Sequence, residues 1–370
     1  MNICILGGGN IGTVLLGDIA SKKEHTVNLY TSKPAKWSKI IRVVDVENNK
    51  TIESEINKIT NDLKILEDAD IILSTLPSNV FKKMSKDIMN HISDGTFFGF
   101  VPGSGGCEFC CKELLNRDCT IFGFQRVHSI ARIHEYGKEV YVTSRKKEIQ
   151  IGAVPKEKTK VVCKMIQELL DMPCRALENY MCVTLTPSNP ILHTSRLYAM
   201  FKNYKDNMIF ERNILFYEEW TDESSRVLIA LDEELQKICR AYDKLNLLEV
   251  KSLKEHYESD TVEKMTKKIS GIQAFKGITS PMKKVERGYI PDKDSRYFKE
   301  DFLYGLCMIK AFGDIAKIDT PTVDEVLKWY ETFADVEFYV EGKFSGKDLL
   351  YSNIPQNYGV NTKEEVYKFY

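Results

Sequence analysis

Apolar and polar positions divide the chain into two halves with different periods. Residues 2–6, "NICIL", form a short apolar run that predicts a strand. Three nearby glycines follow, and residues 13–20 then carry apolar positions at helical spacing. The run "TVNLY" predicts a second strand, and residues 70–76 a third, with a helix after Pro77. Residues 96–101 predict a fourth strand, which runs into a glycine-rich loop at 102–106. "TIFGFQRVHSIARIHEYGKEVYV" and "EIQIGAVP" read as further strands and turns that complete the sheet. "KTKVVCKMIQELLDM" reads as a helix, and residues 182–185 as the last strand. From about residue 187 the pattern turns helical. Val227, Leu228, Leu231, Leu235, Ile238 and Tyr242 make one sustained stripe. A second helix begins at Thr320–Pro321, with capping-box spacing between Thr322 and Glu325. The expectation is an α/β domain over residues 1–186 and an all-α domain over residues 187–370.

The first strand and helix frame a phosphate-binding turn. Gly7, Gly9 and Gly12 match G-x-G-x-x-G, with Asn10 and Ile11 opening the helix. The first glycine permits the tight turn, the second lets backbone approach a pyrophosphate, and the third lets helix and strand pack closely. The free N–H groups of the helix start favour phosphate. This context makes the first half a Rossmann-type dinucleotide domain. In an NAD site an acid ends the second strand and holds the ribose 2′-hydroxyl. This chain has Thr31, Ser32, Lys33 and Lys36 there. A hydroxyl and two cations suit a 2′-phosphate, which favours NADP over NAD; the bland alternative is two lysines facing solvent. Leu76, Pro77, Ser78 and Gly103 end later strands and are candidates for the nicotinamide edge, although the 103–106 loop would serve equally as an ordinary turn.

Composition narrows the class. At 370 residues the chain exceeds the size at which one core stops growing, so two domains are expected. A formal charge of −1 gives no basic footprint for nucleic acid, and no apolar run reaches the ~20 residues of a membrane span. The first strand starts at residue 2, leaving no room for a signal peptide, and the expected location is cytoplasmic. Ten cysteines include Cys107, Cys110 and Cys111, but no second pair stands at zinc spacing, so no metal site is expected.

His193 lies in "PSNPILHTSR", and Arg296 and Asp301 lie in "SRYFKEDFLYGL". Taken singly, each has a bland reading: a satisfied histidine, a surface arginine, and an aspartate favourable to a helix N-terminus. Together with "GGGNIG", "PGSGG", "FQRVHSIARIHEYGKEV" and "GDIAKIDTPTVDEV", these stretches make the chain resemble the opine dehydrogenase family, the octopine and nopaline dehydrogenase-like enzymes, over nearly its whole length. The resemblance implies NAD(P)H-dependent reductive condensation of an amino acid with a 2-oxo acid, pyruvate or a larger dicarboxylic one. It implies His193 as general acid/base, Asp301 as its partner, Arg296 as substrate carboxylate anchor, and Asn189 beside the reacting carbon. The chemistry asks for such a set independently, since histidine exchanges protons near neutral pH, a carboxylate fixes its tautomer, and arginine grips a carboxylate through two hydrogen bonds. Two rivals remain open, a ketopantoate reductase-like enzyme acting on an oxo acid alone and a catalytically silent nucleotide sensor. A homodimer is the default expectation for such an enzyme.

Overall fold

Strand β1 (Asn2–Leu6) buries Ile3, Cys4, Ile5 and Leu6 in succession, as a strand covered on both faces must. This is the centre of a computed structural model that describes residues 1–370, the Ser188 side chain excepted. The chain divides into two units. The first comprises residues 1–184 together with 368–370, and the second residues 185–367.

In the first unit, β1 leads to helix α1 (Asn10–Ala20) and strand β2 (Thr26–Tyr30). A hairpin follows, β3 (Ile40–Asp45) and β4 (Lys50–Glu55), and then β5 (Lys58–Thr60). Next come β6 (Ile71–Ser74), α2 (Ser78–Asn90), β7 (Phe97–Phe100), the single turn α3 (Cys107–Cys110) and β8 (Thr120–Phe124). β9 (Ser129–Glu135), β10 (Glu139–Arg145), β11 (Ile149–Val154), α4 (Thr159–Leu170) and β12 (Cys174–Ala176) lead to the short helix α5 (Met181–Thr184). Eight strands form one sheet in the order β12-β11-β8-β7-β6-β1-β2-β5, parallel except where β11 runs against β8. Strand order reverses at β1, between β2 and β6. In open α/β sheets ligands bind beyond the carboxyl ends of strands at such a reversal.

Three expectations need correction. Residues 182–185 do not form a closing strand, because 181–184 turn into α5. Four buried apolar or small residues in a row fit a buried helical turn as well as a strand, and so short a run carries no period to decide. β9 and β10 do not extend the main sheet. With β3 and β4 they make a separate four-stranded sheet in the order β4-β3-β10-β9, which packs on α1. A Cβ at Gly17 would meet Val43 at 2.2 Å, so the helix can approach this sheet only because that position is bare. The buried Asp18 of α1 holds Arg145 of β10 through two hydrogen bonds of 2.7 and 3.0 Å, and Arg145 also reaches Asp45 at 2.7 Å. The third correction concerns the proposed capping box and belongs to the second unit.

That unit is helical. Its helices are α6 (Ser188–Phe201), α7 (Asp222–Ala241), α8 (Leu253–His256) and α9 (Val262–Ser270), followed by α10 (Arg296–Lys299), α11 (Cys307–Ala316), α12 (Pro321–Ala334) and α13 (Lys363–Phe369). One hairpin, β13 (Met282–Val285) and β14 (Gly288–Pro291), interrupts them. The predicted stripe on α7 is real: Leu228, Leu231, Leu235, Ile238 and Tyr242 are all buried. At the start of α12, Thr322 and Glu325 do not cap each other. Glu234 of α7 accepts the backbone N–H groups of Thr322 and Val323 at 2.8 and 3.0 Å, while Glu325 accepts from the Tyr198 hydroxyl. A neighbouring helix has supplied the cap that local spacing suggested.

Candidate active site

The turn after β1 is shaped for close backbone approach. Gly7 has φ +110°, a conformation that L side chains rarely adopt. A Cβ at Gly12 would lie 2.0 Å from the Gly7 carbonyl oxygen, so α1 can pack on β1 only with glycine there. Thr75, just past β6, donates to the Gly7 carbonyl at 3.0 Å and fixes the turn. Gly9 is exposed and open where a side chain would project. No side chain caps α1, which leaves the first-turn N–H groups of Asn10, Ile11 and Gly12 without intrahelical partners. The Asn10 side chain is used elsewhere: its carbonyl oxygen accepts the Ile133 N–H at 2.9 Å, so only its backbone serves the turn.

The other predicted residues of this unit collect along the same edge. Leu76, Pro77 and Ser78 follow β6, and a Cβ at Gly7 would touch Leu76 at 3.1 Å. Ser32, Lys33 and Lys36 follow β2 and are exposed, and neither lysine makes an ion pair with any described residue. Trp37 closes their loop against the glycine turn, where a Cβ at Gly8 would meet its ring at 2.2 Å. Gly103 follows β7 and is already committed. Its N–H bonds the Phe124 carbonyl at 2.8 Å, and its own carbonyl accepts the Tyr180 hydroxyl at 3.0 Å. The residues present fit a dinucleotide: a bare, uncapped turn for the pyrophosphate, with unpaired cations beyond the neighbouring strand.

The second unit brings a histidine and an aspartate together from two segments. α6 carries His193. Asp301 ends the short segment after α10 and begins a wide turn, Phe302–Leu306, in which Leu306 N–H reaches back five residues to the Asp301 carbonyl at 2.8 Å. Such π turns loosen a helix locally and recur at functional sites. Gly305 sits in this turn, and a Cβ there would lie 2.8 Å from Pro190 Cβ. The bare position lets the turn dock against the first turn of α6, which brings His193 and Asp301 together.

The His193 Nδ1–Asp301 distance is 2.7 Å, with both side chains about nine-tenths buried. An ionised carboxylate only accepts, so Nδ1 carries the proton and Nε2 presents its lone pair. That lone pair faces the Tyr217 hydroxyl at 2.8 Å. Tyr297 lies against the imidazole face with centroids 4.4 Å apart, and Phe216 meets it edge-on at 5.6 Å. Burial pushes the Tyr217 phenol well above its usual range, so it stays protonated and donates.

Arg196, one turn along α6 from His193, pins the Tyr217 segment. Its guanidinium donates to the carbonyls of Phe216 at 2.9 Å and Glu219 at 2.7 Å, and more weakly to Leu215 and the Ser224 hydroxyl. Burial pulls this buried cation down to about 10. Sequence reasoning missed Tyr217 and Arg196. The only signal was Arg196 at i+3 from His193, and "FYEEW" carries no pattern that marks one tyrosine.

Arg296 is exposed at the start of α10 and makes no ion pair with any described residue. Asn189 is exposed four residues before His193, on the same face of α6. Among the described residues no group of three or more His, Cys, Asp or Glu could hold a metal ion, and no helix is long and apolar enough to cross a membrane.

Known proteins share this sequence pattern and fold. Residues 176–334 match the family described as NAD/NADP octopine/nopaline dehydrogenase, alpha-helical domain, and residues 2–99 match the NAD-dependent glycerol-3-phosphate dehydrogenase N-terminus. The chain is 26% identical to a tauropine dehydrogenase of Arabella iricolor, covering 98% of this chain and 99% of that one. It is 27% identical to an opine dehydrogenase of Haliotis discus hannai, covering 98% of each. An octopine dehydrogenase solved with NADH and pyruvate shares the fold with a TM-score of 0.86 at 22% identity, over 99% of this chain and 97% of that one. With a dinucleotide-type sheet followed by this helical domain, and relatives that match it end to end, the chain is similar to the octopine/nopaline-type opine dehydrogenases.

Proposed function

We propose that the protein is an opine dehydrogenase, an NAD(P)-dependent oxidoreductase acting on CH–NH groups. It joins an amino acid to a 2-oxo acid and reduces the resulting imine. The observation that carries the reading is His193 held at 2.7 Å by Asp301 on the helical segment that the family description covers. The net reaction takes one ammonium, one oxo group, one reduced nicotinamide and one proton, and releases water, oxidised nicotinamide and a secondary ammonium. His193 takes a proton from the ammonium and frees its lone pair for attack on the oxo carbon. It returns that proton to the carbinolamine hydroxyl, which leaves as water. Asp301 holds Nδ1–H throughout and stabilises the imidazolium. Arg296, with no carboxylate of its own, is free to grip the oxo acid's carboxylate, and Asn189 stands on the same helix face as His193. The bound cofactor supplies the hydride.

The favoured cofactor is NADP. No acid ends β2, while Ser32, Lys33 and Lys36 leave a hydroxyl and two unpaired cations there. Pyruvate is the favoured oxo acid, since the octopine dehydrogenase with this fold was solved with it. The test follows the absorbance of NADPH and NADH in a matrix of 2-oxo acids with and without amino acids. Oxidation that needs both partners is the expected result. Oxidation with the oxo acid alone would make the protein a simple reductase, against its helical-domain match.

A further inference from the structure

We propose that Tyr217 is the proton relay of this site: protons pass between His193 Nε2 and the reacting substrate atom through the Tyr217 hydroxyl. The proposal rests on the reading of His193 as acid/base. A neutral imidazole nitrogen has one lone pair in the ring plane and so one good partner. For Nε2 that partner is the Tyr217 hydroxyl, at 2.8 Å. The nitrogen that must exchange protons therefore presents a phenol to its surroundings.

The phenol is held, not hung on a free loop. Its ring stacks on Phe275 with centroids 4.2 Å apart at 22°, and meets Phe216 at 4.9 Å nearly perpendicularly. Arg196 fastens the backbone on both sides of it, through the Phe216 and Glu219 carbonyls. Swinging the hydroxyl away would break the stack and leave Nε2 without its donor. A phenol can donate and accept at once, so it serves both states of the histidine. In the acid step Tyr217 gives its proton to the departing hydroxyl while taking one from His193 Nε2–H. In the base step both transfers reverse, and the phenol carries no net charge at either end. Tyr297, half-buried, lies against the imidazole and meets Phe216 at 5.0 Å, so rings pack on both sides of the His193–Tyr217 pair.

Tyr217→Phe removes the hydroxyl and keeps the ring. Its single-turnover rate of imine formation and reduction should fall by about 10²-fold, within the span of acid–base contributions, while the KM of the oxo acid stays nearly unchanged. Ring-fluorinated tyrosines at 217 grade the phenol's acidity at almost constant size, and the rate should vary systematically along that series. They also serve if Tyr217→Phe folds poorly. An unchanged or faster Tyr217→Phe, or a flat fluorotyrosine series, overturns the relay. His193→Gln separates the two readings. If it is inactive while Tyr217→Phe is not, the relay alone fails; if it keeps full turnover, the acid/base assignment fails with it.

Discussion

At His193 the two ring nitrogens have different neighbours and therefore different tasks. Nδ1 is tied to Asp301 and Nε2 to Tyr217, so the carboxylate chooses the tautomer and, on the proposed mechanism, the phenol stands on the side that exchanges protons. Asp301→Asn keeps the shape but removes the charge that holds Nδ1–H and stabilises the imidazolium. It should lower kcat by about 10²–10⁴-fold. Nucleotide affinity, measured by fluorescence titration, should stay at the wild-type value, and a comparable loss there would mean that Asp301 acts by holding up the fold. At the end of β2 the proposed NADP preference can be tested at a single residue. Ser32→Asp restores the acid that grips a ribose 2′-hydroxyl and repels a 2′-phosphate. The ratio of kcat/KM for NADPH to that for NADH should drop at least about tenfold, as 1.4 kcal/mol of charge repulsion would produce. An unmoved ratio would place the 2′-phosphate elsewhere.

At the scale of elements, the site depends on how one turn docks on one helix. The wide turn from Phe302 to Leu306 and the first turn of α6 approach each other where Gly305 meets Pro190. Gly305→Ala would place a methyl 2.8 Å from a ring carbon of a residue that has no rotamer to yield. The expected cost is about 1–3 kcal/mol of stability, the usual range for overpacking. Activity should fall further than stability alone explains, because the displaced turn carries Asp301. Thermal melts alongside kcat at a temperature well below the transition test this, and a variant that loses stability but keeps full kcat would show that the turn relaxes without moving Asp301. The same scale explains the capping of α12, where Glu234 of α7 takes the place that Thr322 and Glu325 were expected to fill. Local spacing names a cap, and packing decides which side chain provides it.

At the scale of the whole molecule, the first unit buries several ionisable groups, and Glu108 makes a clear pH prediction. Glu108 is fully buried, and its carboxyl is pushed from 4.5 up to about 7 by burial, against the opposing hydrogen bonds from Thr184 and Tyr370. Its second oxygen has no hydrogen-bond partner, which suits a protonated carboxyl. The folded state thus holds this proton more tightly than the unfolded chain does. The contribution is full below about 4.5 and is lost as pH rises to about 7, by about 3 kcal/mol in all. In Glu108→Gln, which keeps an acceptor for both hydroxyls, the Glu108 contribution should be lost, so the stability difference between the two proteins should change across this window. Denaturant titrations of both proteins across that window check it, and parallel curves would mean that Glu108 does not carry the proton.

The amino-acid sequence determined whatever local physics enforces. The glycine turn is legible because a left-handed φ and a 2.0 Å approach exclude every other residue, and those demands act within six positions. β1 and β6 are legible because a strand covered on both faces must be apolar throughout, and α7 because its stripe repeats over about four turns. "NPILH" and "EDFLYGL" stood out as stretches, but nothing local says that residues 193 and 301 meet. The tertiary structure decided that, by removing a side chain at Gly305 and widening a turn. It decided also that β3, β4, β9 and β10 leave the main sheet, since alternating strands fit either sheet until α1 selects one. Above all it decided that one tyrosine among eighteen covers Nε2. A phenol is ordinary core material in sequence, and only a buried imidazole brought to its hydroxyl gives it a proton to pass.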